Sequence, residues 1–396
     1  MKEYRLGDII EIKHGYAFDG EHIVQEDNGI VLVTPGNFRI GGGFQEKKCK
    51  FFTGEIPDEY VLSAGDFIVT MTDLSKEIDT LGYSAIVPES NRTYLHNQRI
   101  GLISFKNDEC YPGYVYFLMR THLYQRSIAN TSTGATVHHT SPAKICDYRF
   151  SAPDYETQRK IADYLFVYEK LIENNQKQIK LLEEAAQRLY KEWFVDLRFP
   201  DHETTPIVDG IPEGWEHKTL SQIADVVMGQ SPKSEFYNQE QQGLPFHQGV
   251  GSYGTRFVID ATYSTSYTRI AEAGSILFSV RAPVGRLNMT KNKVVIGRGL
   301  AAINHRSGMQ SYLFYLLKER FFKDDIIGNG AIFASISKDE LLGQKFVVPT
   351  DALVERFNVI ANNIDKKIAG LVDQIALLTE ARDRLLPKLM SGEIEV

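Results

Sequence analysis

The stretch IADYLFVYEKLIENNQKQIKLLEEAAQRLYKEW (161–193) carries the strongest periodic signal in the chain. Its seam residues recur at alternating intervals of four and three, which is the a/d pattern of a coiled coil sustained over more than four heptads. The stretch is therefore predicted to form one helix of roughly 50 Å that packs against a partner helix. The seam consists of Ile161, Leu165, Tyr168, Ile172, Asn175, Ile179, Leu182, Ala186, Leu189 and Trp193.

A second seam with the same spacing lies towards the C-terminal end of the chain. Arg382 interrupts its apolar pattern and is predicted to reach solvent or an acidic neighbour such as Glu184. In the first seam, Asn175 either fixes the register of the helix pair or is a tolerated, partly exposed polar residue. The second seam consists of Phe357, Ala361, Ile364, Ile368, Leu371, Ile375, Leu378, Arg382, Leu385 and Leu389.

The two seams are predicted to pack on each other in antiparallel orientation. The first helix ends near Leu197, and the second globular domain begins near Trp215. A parallel pair would require the linker of about 17 residues to run back along the whole helix, which it could barely do fully stretched at about 3.3 Å per residue. An antiparallel pair needs only a short linker and would hold two domains at opposite ends of a rigid spacer.

The sequence around the helices is duplicated. LGDIIEIKHGYAF (6–18) matches LSQIADVVMGQSP (220–232), and TGATVHHTSPAKICDYRFSAP (133–153) matches NGAIFASISKDELLGQKFVVP (329–349). A repeat of roughly 190–215 residues is too long for a solenoid unit and indicates a globular domain plus a helix, duplicated. The predicted fold class is α+β, with two similar α/β domains, a two-helix antiparallel coiled-coil spacer and an internal pseudo-two-fold. The predicted parts are domain 1 (1–153), spacer helix 1 (154–197), a linker (198–213), domain 2 (214–350), and spacer helix 2 with a tail (351–396).

Composition narrows the class of protein. The 396 residues are 43% hydrophobic and 24% charged, which is typical of a soluble protein with two or three domains. Apolar runs stay below the roughly 20 residues of a membrane span, and the N-terminus lacks the apolar stretch of a signal peptide. The three cysteines form no CxxC pair. These features predict a reducing, cytoplasmic location without a membrane partner.

The segment 231–300 is locally basic, although the formal net charge of the chain is −7. Two of its arginines flank a turn-like APVG loop (282–285) that follows a predicted strand. Arginine in such a loop can pair bidentately with guanine or phosphate. The alternative is a solvated face with surface salt bridges. The candidate DNA-binding residues here are Lys233, Arg256, Arg281, Arg286 and Arg298.

In the first half, the loop 134–140 is rich in Gly and Thr and precedes the helix-start signal Ser141-Pro142. Such a loop can present backbone amides to a phosphate, or it can simply cap the helix. The candidate DNA-binding residues of this half are Arg39, Lys47, Lys48, Arg99, Thr136, His138 and His139.

Motifs that would indicate an enzyme are missing or out of context. GVGSYG (249–254) fits G-x-G-x-x-G, but the β-like TRFVID (255–260) follows it where a dinucleotide site needs a helix. The sequence has no GxxxxGK phosphate loop and no HExxH motif. His138 and His139 lack a Cys or carboxylate at metal-ligand spacing. No catalytic residue and no metal site are therefore predicted.

Several segments resemble the specificity (S) subunits of type I restriction–modification enzymes. The resemblance extends over the whole chain, with the two variable regions in the position of target recognition domains. The segment PTDALVERFNVI (349–360) departs from the family pattern because it lacks an equivalent of Gln158. The segments that carry the resemblance are SAPDYETQRKIADYL (151–165), RLYKEWFVDL (188–197), IPEGWEHKTL (211–220) and RLLPKLMSGEIEV (384–396).

The resemblance implies a non-catalytic subunit that reads a bipartite DNA site, with one half-site per domain and the helix pair as a ruler for the gap. It implies double-stranded DNA, two modification (methyltransferase) subunits and restriction/translocase subunits as partners. S-adenosylmethionine, ATP and Mg²⁺ would then belong to the partners, and this chain would hold no cofactor. Two rival interpretations remain on the sequence alone: a non-DNA-binding coiled-coil scaffold with two protein-binding heads, and a self-contained nuclease or methyltransferase.

Overall fold

The chain folds into two compact units, in a computed structural model. Unit 1 comprises Met1–Ile172 and Leu377–Val396, and unit 2 comprises Glu173–Ala376. Each unit therefore contains one globular domain and segments of two long helices. The unit boundaries fall inside both long helices, so the compact units cut across the five predicted parts. The structure describes residues 1–47, 49–75, 77–134, 136–321 and 335–396.

The helices differ strongly in length. Two long helices contain the heptad seams, except that Trp193 follows the end of the first helix, and the others are short and belong to the globular domains. The helices are α1 (Leu6–Ile9), α2 (Pro112–Leu118), α3 (His122–Asn130), α4 (Pro142–Cys146), α5 (Tyr155–Tyr190), α6 (Leu220–Ile223), α7 (Gln310–Phe321), α8 (Lys338–Leu342) and α9 (Asp351–Ser391).

The globular part of unit 1 contains two main sheets. A four-stranded sheet has the order β2-β11-β7-β9, and a five-stranded sheet has the order β3-β5-β4-β10-β6. Within the second sheet, β4 and β10 run parallel. The strands are β1 (Lys2–Arg5), β2 (Ile10–His14), β3 (Ile23–Val24), β4 (Ile30–Val33), β5 (Lys50–Phe52), β6 (Val61–Leu62), β7 (Phe67–Thr70), β8 (Thr72–Asp73), β9 (Ser84–Ile86), β10 (Thr93–His96), β11 (Ile100–Phe105), β12 (His138–His139) and β13 (Arg149–Ala152).

Unit 2 repeats this topology. Its four-stranded sheet has the order β17-β25-β22-β23, and its five-stranded sheet has the order β18-β20-β19-β24-β21, with β19 and β24 parallel. The predicted α+β fold with two similar domains is therefore confirmed. The strands are β14 (Ile207–Val208), β15 (Ile211–Pro212), β16 (Glu216–Thr219), β17 (Ala224–Met228), β18 (Tyr237–Asn238), β19 (Leu244–His247), β20 (Tyr263–Ser264), β21 (Ile270–Ala271), β22 (Ile276–Ser279), β23 (Leu287–Met289), β24 (Val294–Ile296), β25 (Leu300–His305) and β26 (Lys345–Val348).

The seam residues have two kinds of partner. At the start of α5, Ile161 and Leu165 belong to the core of the unit 1 domain, and at the start of α9, Phe357 and Ala361 belong to the core of the unit 2 domain. Further along, Ile179 of α5 packs directly on the α9 seam. One continuous stripe on each helix therefore anchors a domain and then pairs with the other helix.

The long helices pair antiparallel within each unit. In unit 2, Asn175 Nδ2 donates to Gln374 Oε1 at 3.2 Å, whereas Ile179, further along α5, packs against Ile368 and Leu371, earlier in α9. In unit 1, the core that contains Leu165 also contains residues near the end of α9. The predicted antiparallel orientation is confirmed by these contacts.

The predicted spacer residues divide by burial. Asn175 is among the buried ones, and its side chain hydrogen-bonds across the pair, as a register-setting residue would. The buried residues are Ile161, Leu165, Ile172, Asn175, Ile179, Ile368 and Leu371, and the half-buried ones are Leu182, Leu189, Ile364, Ile375, Leu378 and Leu385.

The missing glutamine of the second helix has a substitute. In unit 1, Gln158 Oε1 accepts a hydrogen bond from the backbone N–H of Tyr111, at the start of α2, at 2.9 Å. In unit 2, Asn358 Oδ1 accepts from the N–H of Tyr312, in the first turn of α7, at 3.1 Å. Backbone N–H groups in a first turn have no partner within their own helix. The two long helices therefore cap a domain helix in each unit by equivalent chemistry.

Replacing Asn358 with Ala should lower the free energy of unfolding by about 1–3 kcal/mol, because it leaves the buried Tyr312 N–H without an acceptor. Urea unfolding followed by tryptophan fluorescence measures this, since both tryptophans, Trp193 and Trp215, lie in unit 2. The control is Asn363→Ala, at an exposed position of the same helix. Equal stability of the two variants would contradict the capping role.

Candidate nucleic-acid interface

In unit 2, the turn between β24 and β25 binds three other segments through backbone hydrogen bonds. Gly297 N donates to His247 O at 2.8 Å, Gly299 N donates to Gln248 O at 3.2 Å, Val280 N donates to Gly299 O at 2.9 Å, and Gln230 N donates to Ile296 O at 2.9 Å. An ideal Cβ on Gly299 would lie 2.5 Å from the backbone oxygen of Gln248, so this close approach of two backbone segments requires glycine. We call the turn 296–300 and the segments 230–231, 247–248 and 280–281 the unit 2 junction.

Two of the predicted DNA-binding residues belong to the unit 2 junction, and a third lies next to it in the sequence. Arg298 lies at its centre and Arg281 directly follows Val280, and both are exposed. Lys233 lies two residues after Ser231 and is also exposed, with Glu235 at 3.8 Å as an ion-pair partner. The backbone at Arg281 and Arg298 is therefore held in place by hydrogen bonds between several segments.

Arg286 is the last residue of the loop 280–286, which also contains Arg281. Its backbone N–H donates to Ser279 Oγ at 2.8 Å, and the same hydroxyl donates to Pro283 O at 2.6 Å. Ser279 therefore closes the loop 280–286 from inside. Arg286 is half-buried, in contrast to the exposed Arg281.

The prediction that Arg256 contacts DNA is wrong. The residue is only 2% exposed, its Nη2 donates to Asp365 Oδ1 at 2.5 Å, and its guanidinium carbon lies 3.4 Å from the centre of the Phe314 ring. A buried guanidinium with a carboxylate partner is a structural group and is out of reach of a phosphate or a base.

Unit 1 has a corresponding junction, and we call the turn 96–100 with the segments 15–16, 71–73 and 138–140 the unit 1 junction. Met71 N donates to Arg99 O at 2.9 Å and Thr140 N donates to Met71 O at 3.0 Å. In unit 2 the corresponding bonds are those from Val280 N to Gly299 O and from Ile336 N to Val280 O, at 2.9 and 3.0 Å. The repeat therefore extends to individual hydrogen bonds, which identifies the equivalent positions of the two domains.

The unit 1 junction carries Arg99, His138 and His139. Arg99 and His139 are exposed. The strand β12, which contains both histidines, pairs with β8, and Thr72 Oγ1 lies 3.1 Å from His139 Nδ1. Thr136 is exposed in the loop that leads into β12. The structure thus gathers four predicted residues of the first half around one turn.

A buried acid, Asp73, organises the loop of unit 1 that corresponds to the loop 280–286 of unit 2. Asp73 accepts hydrogen bonds from Ser75 N, Thr80 N and Thr80 Oγ1, each at 2.6 Å. Burial raises the pKa of the Asp73 carboxyl, but these hydrogen bonds outweigh burial and leave the pKa below its ordinary value. Nothing in the local sequence distinguishes Asp73 from other loop acids, so it was not among the predicted residues.

The remaining candidates of the first half lie elsewhere. Arg39 is half-buried and belongs to the turn 39–43, which Arg120 binds by donating from Nε to Gly41 O at 2.8 Å. Lys47 is exposed. Lys48 lies outside the described residues. These positions are not part of the unit 1 junction as defined by its hydrogen bonds.

Each domain is tied to its own long helix by a buried arginine. In unit 1, Arg120 Nη2 donates to Glu169 Oε1 at 3.0 Å, and Arg382 Nη1 donates to the same oxygen at 2.5 Å. The acid that Arg382 meets is thus Glu169 and not Glu184, which was the predicted example. Burial acts to raise the pKa of Glu169, but the two arginines together outweigh burial, so the pKa lies below its ordinary value.

In unit 2 the corresponding acid is Asp365, which follows the seam residue Ile364 as Glu169 follows Tyr168. It binds Arg256, and Glu183 Oε1 lies 4.0 Å from Arg256 Nη1. The arginine comes from the turn between α2 and α3 in unit 1 and from a loop in unit 2. The same contact between domain and helix is therefore built twice from different parts of the domain.

The long helices also expose apolar side chains. On α5 in unit 1, Tyr164, Val167 and Leu171 are 48, 53 and 44% exposed and follow one another at helical spacing. On α9 in unit 2, Val359 and Ile360 are 56 and 41% exposed. Apolar surface on a helix that is already paired on another face is a feature of protein-binding surfaces.

Two kinds of site are missing from the part of the chain that the structure describes. No group of three or more His, Cys, Asp or Glu residues is placed to hold a metal ion within the described ranges. Among the helices of these residues, none combines the length and the apolar character that crossing a membrane requires.

Two repeated domains attached to paired helices, each with exposed cations on an ordered junction, are features of a protein that reads DNA sequence. The type I restriction modification DNA specificity domain family matches residues 1–184 and 212–380. The chain belongs to this family. Its role is therefore in DNA-sequence specificity, as a non-catalytic subunit of a restriction–modification system whose catalytic activities lie in other subunits.

Individual relatives agree with this assignment. A putative type I restriction enzyme MjaX specificity subunit of Methanocaldococcus jannaschii is 29% identical over 350 residues, which cover 85% of this chain and 80% of that protein. The type I restriction enzyme HindI specificity subunit of Haemophilus influenzae is 24% identical, with 99% of each chain covered. A solved type I restriction–modification S subunit from M. genitalium has a TM-score of 0.58 at 15% identity, covering 98% of this chain and 95% of that one, and shows the shared fold.

Proposed function

We propose that this chain reads a bipartite site in double-stranded DNA, with the junction of each unit contacting one half-site in the major groove and the α5–α9 pair setting the gap. The observation that carries the proposal is the repeated junction. The same backbone hydrogen bonds support different exposed side chains in the two units. A duplicated scaffold with different loops suits a target with two different halves.

The chemistry of the two junctions differs. In unit 2, Arg281 and Arg298 present guanidinium groups that match guanine O6 and N7 or a phosphate. In unit 1, Arg99 is accompanied by His138 and His139, and the adjacent loop is organised by Asp73. The two half-sites are therefore expected to differ in sequence.

The proposed protein partners bind a different surface from the DNA. The exposed apolar residues of the long helices are the proposed docking surface for two modification subunits, which would supply S-adenosylmethionine and methylate adenine. Restriction/translocase subunits would join for ATP- and Mg²⁺-dependent cleavage, in the cytoplasm. A net charge of −7 opposes tight binding to DNA by the chain alone. The modification subunits would therefore contribute many of the phosphate contacts.

The isolated chain should bind DNA weakly, and the complex with its modification subunit should bind one bipartite sequence tightly, because the partner adds phosphate contacts. Sequencing of methylated adenines in cells with and without this gene identifies the site, and gel shifts over a range of salt concentrations measure binding to it. The affinity of the complex should fall steeply as salt rises. Nanomolar binding by the chain alone would contradict this division of roles, and a complex without sequence preference would favour the protein-binding scaffold.

A further inference from the structure

The unit 2 junction also contains a glutamine that was not among the predicted DNA-binding residues. Gln248 is exposed, and its Oε1 accepts a hydrogen bond from Ser231 Oγ at 2.7 Å. Ser231 Oγ in turn accepts from the backbone N–H of Arg298 at 3.3 Å. Because Gly297 has no side chain, the glutamine amide lies directly against the turn. The amide group is therefore held in one orientation before any DNA arrives.

The orientation leaves a definite set of hydrogen-bonding groups for a ligand. A glutamine carbonyl oxygen has two lone pairs, and Ser231 uses one of them. The other lone pair and the Nε2 donors remain, side by side. One acceptor next to one donor matches the N6 amine and N7 of adenine in the major groove.

The neighbours of Gln248 place it among the groups proposed to contact DNA. The backbone carbonyl oxygen of Gln248 accepts a hydrogen bond from Gly299 N, and the backbone oxygen of Gly299 accepts one from the N–H of Val280, the residue before Arg281. Arg298 lies on the same turn. A preoriented amide between two exposed arginines is placed to read a base edge while the arginines contact guanine or phosphate.

We propose that Gln248 is a specificity-determining residue that reads one adenine in the half-site of unit 2, and that Ser231 is the residue that positions it. This inference rests on the proposed function. In unit 1, Thr34 follows β4 as Gln248 follows β19, and its hydroxyl is within 3.2 Å of Asn37 Oδ1 in its own turn. The effect of Gln248 therefore belongs to one half-site.

The experiment uses the full chain in complex with its modification subunit and a library of DNA duplexes randomised at each position of the site. Gln248→Ala should reduce discrimination at one base pair of the unit 2 half-site about 5- to 150-fold and leave the other positions unchanged. Gln248→Glu presents only acceptors and should move the preference at that position from adenine to cytosine, whose N4 amine is a donor. Ser231→Ala should weaken discrimination at the same position.

The matched control is Gln242→Ala, at an exposed position of the same domain outside the junction. Unchanged preference in Gln248→Ala would overturn the proposal, and so would an equal loss for every DNA sequence, which is the mark of a phosphate contact. If Gln248→Ala does not fold, as judged by tryptophan fluorescence, the near-isosteric Gln248→Glu decides the question. Absence of any sequence preference in the wild-type complex would instead reject the proposed function itself, and this inference with it.

Discussion

Replacing Asp365 with Ala should destabilise unit 2 by about 3–5 kcal/mol, which is the expected effect of leaving a buried charge without its partner. Arg256 Nη2 is 2.5 Å from Asp365 Oδ1, and Tyr315 donates to the same oxygen at 3.1 Å. The variant leaves the guanidinium against the Phe314 ring with only Glu183 nearby. The loss should therefore be far greater than that of a surface ion pair.

Urea unfolding with tryptophan fluorescence measures this change, because Trp193 and Trp215 both belong to the core of unit 2. The control is Asp373→Ala on the same helix, where the pair with Lys291 is largely exposed and should contribute less than about 1 kcal/mol. The double variant Arg256→Met with Asp365→Leu should recover much of the lost stability, because both charges of the buried pair are then replaced by apolar side chains. A loss in Asp365→Ala no larger than that in Asp373→Ala would contradict the structural role of the pair.

Removing Arg281 and Arg298 together should weaken binding of the assembled complex to its site by about 10²-fold or more, since each guanidinium in contact with a base or phosphate contributes about 1–3 kcal/mol. Gel shifts of the complex on its methylation site measure the loss. Repeating them over a range of salt concentrations assigns each contact, because every phosphate contact that is lost reduces the salt dependence by about one unit of slope.

The control for this pair is Arg306→Ala. Arg306 follows β25 at the end opposite to the junction and pairs with Asp225 at 3.1 Å. Its loss should leave DNA affinity unchanged, because it lies away from the proposed contact surface. The double variant should keep the stability of the wild type, since both arginines are exposed. Wild-type affinity in the double variant would exclude the unit 2 junction as a DNA-binding surface.

The candidate site was only partly predictable. Arg281 was recognisable because it flanks a turn-like loop after a predicted strand, and Arg298 because it belongs to the basic segment 231–300. Arg256 belongs to the same basic segment, but the fold brings Asp365, from a position far along the chain, against it. Gln248 was missed for the related reason that its orientation depends on Ser231, which belongs to a different segment.

The sequence by itself determined the two long helices, their antiparallel pairing and the duplicated domains. Heptad spacing and repetition are local patterns, and the chain has few ways to bury such stripes. Tertiary structure decided which polar residues are buried with partners inside the protein and which are exposed and available to a ligand. In the folded chain, Arg256 is buried in an ion pair with Asp365. Asn358 has in unit 2 the capping role that Gln158 has in unit 1, from a position one helical turn further on, and Asp73 accepts hydrogen bonds that organise a loop of unit 1. The reason is that desolvation and hydrogen bonding depend on every neighbour of a side chain, and those neighbours come from distant parts of the sequence.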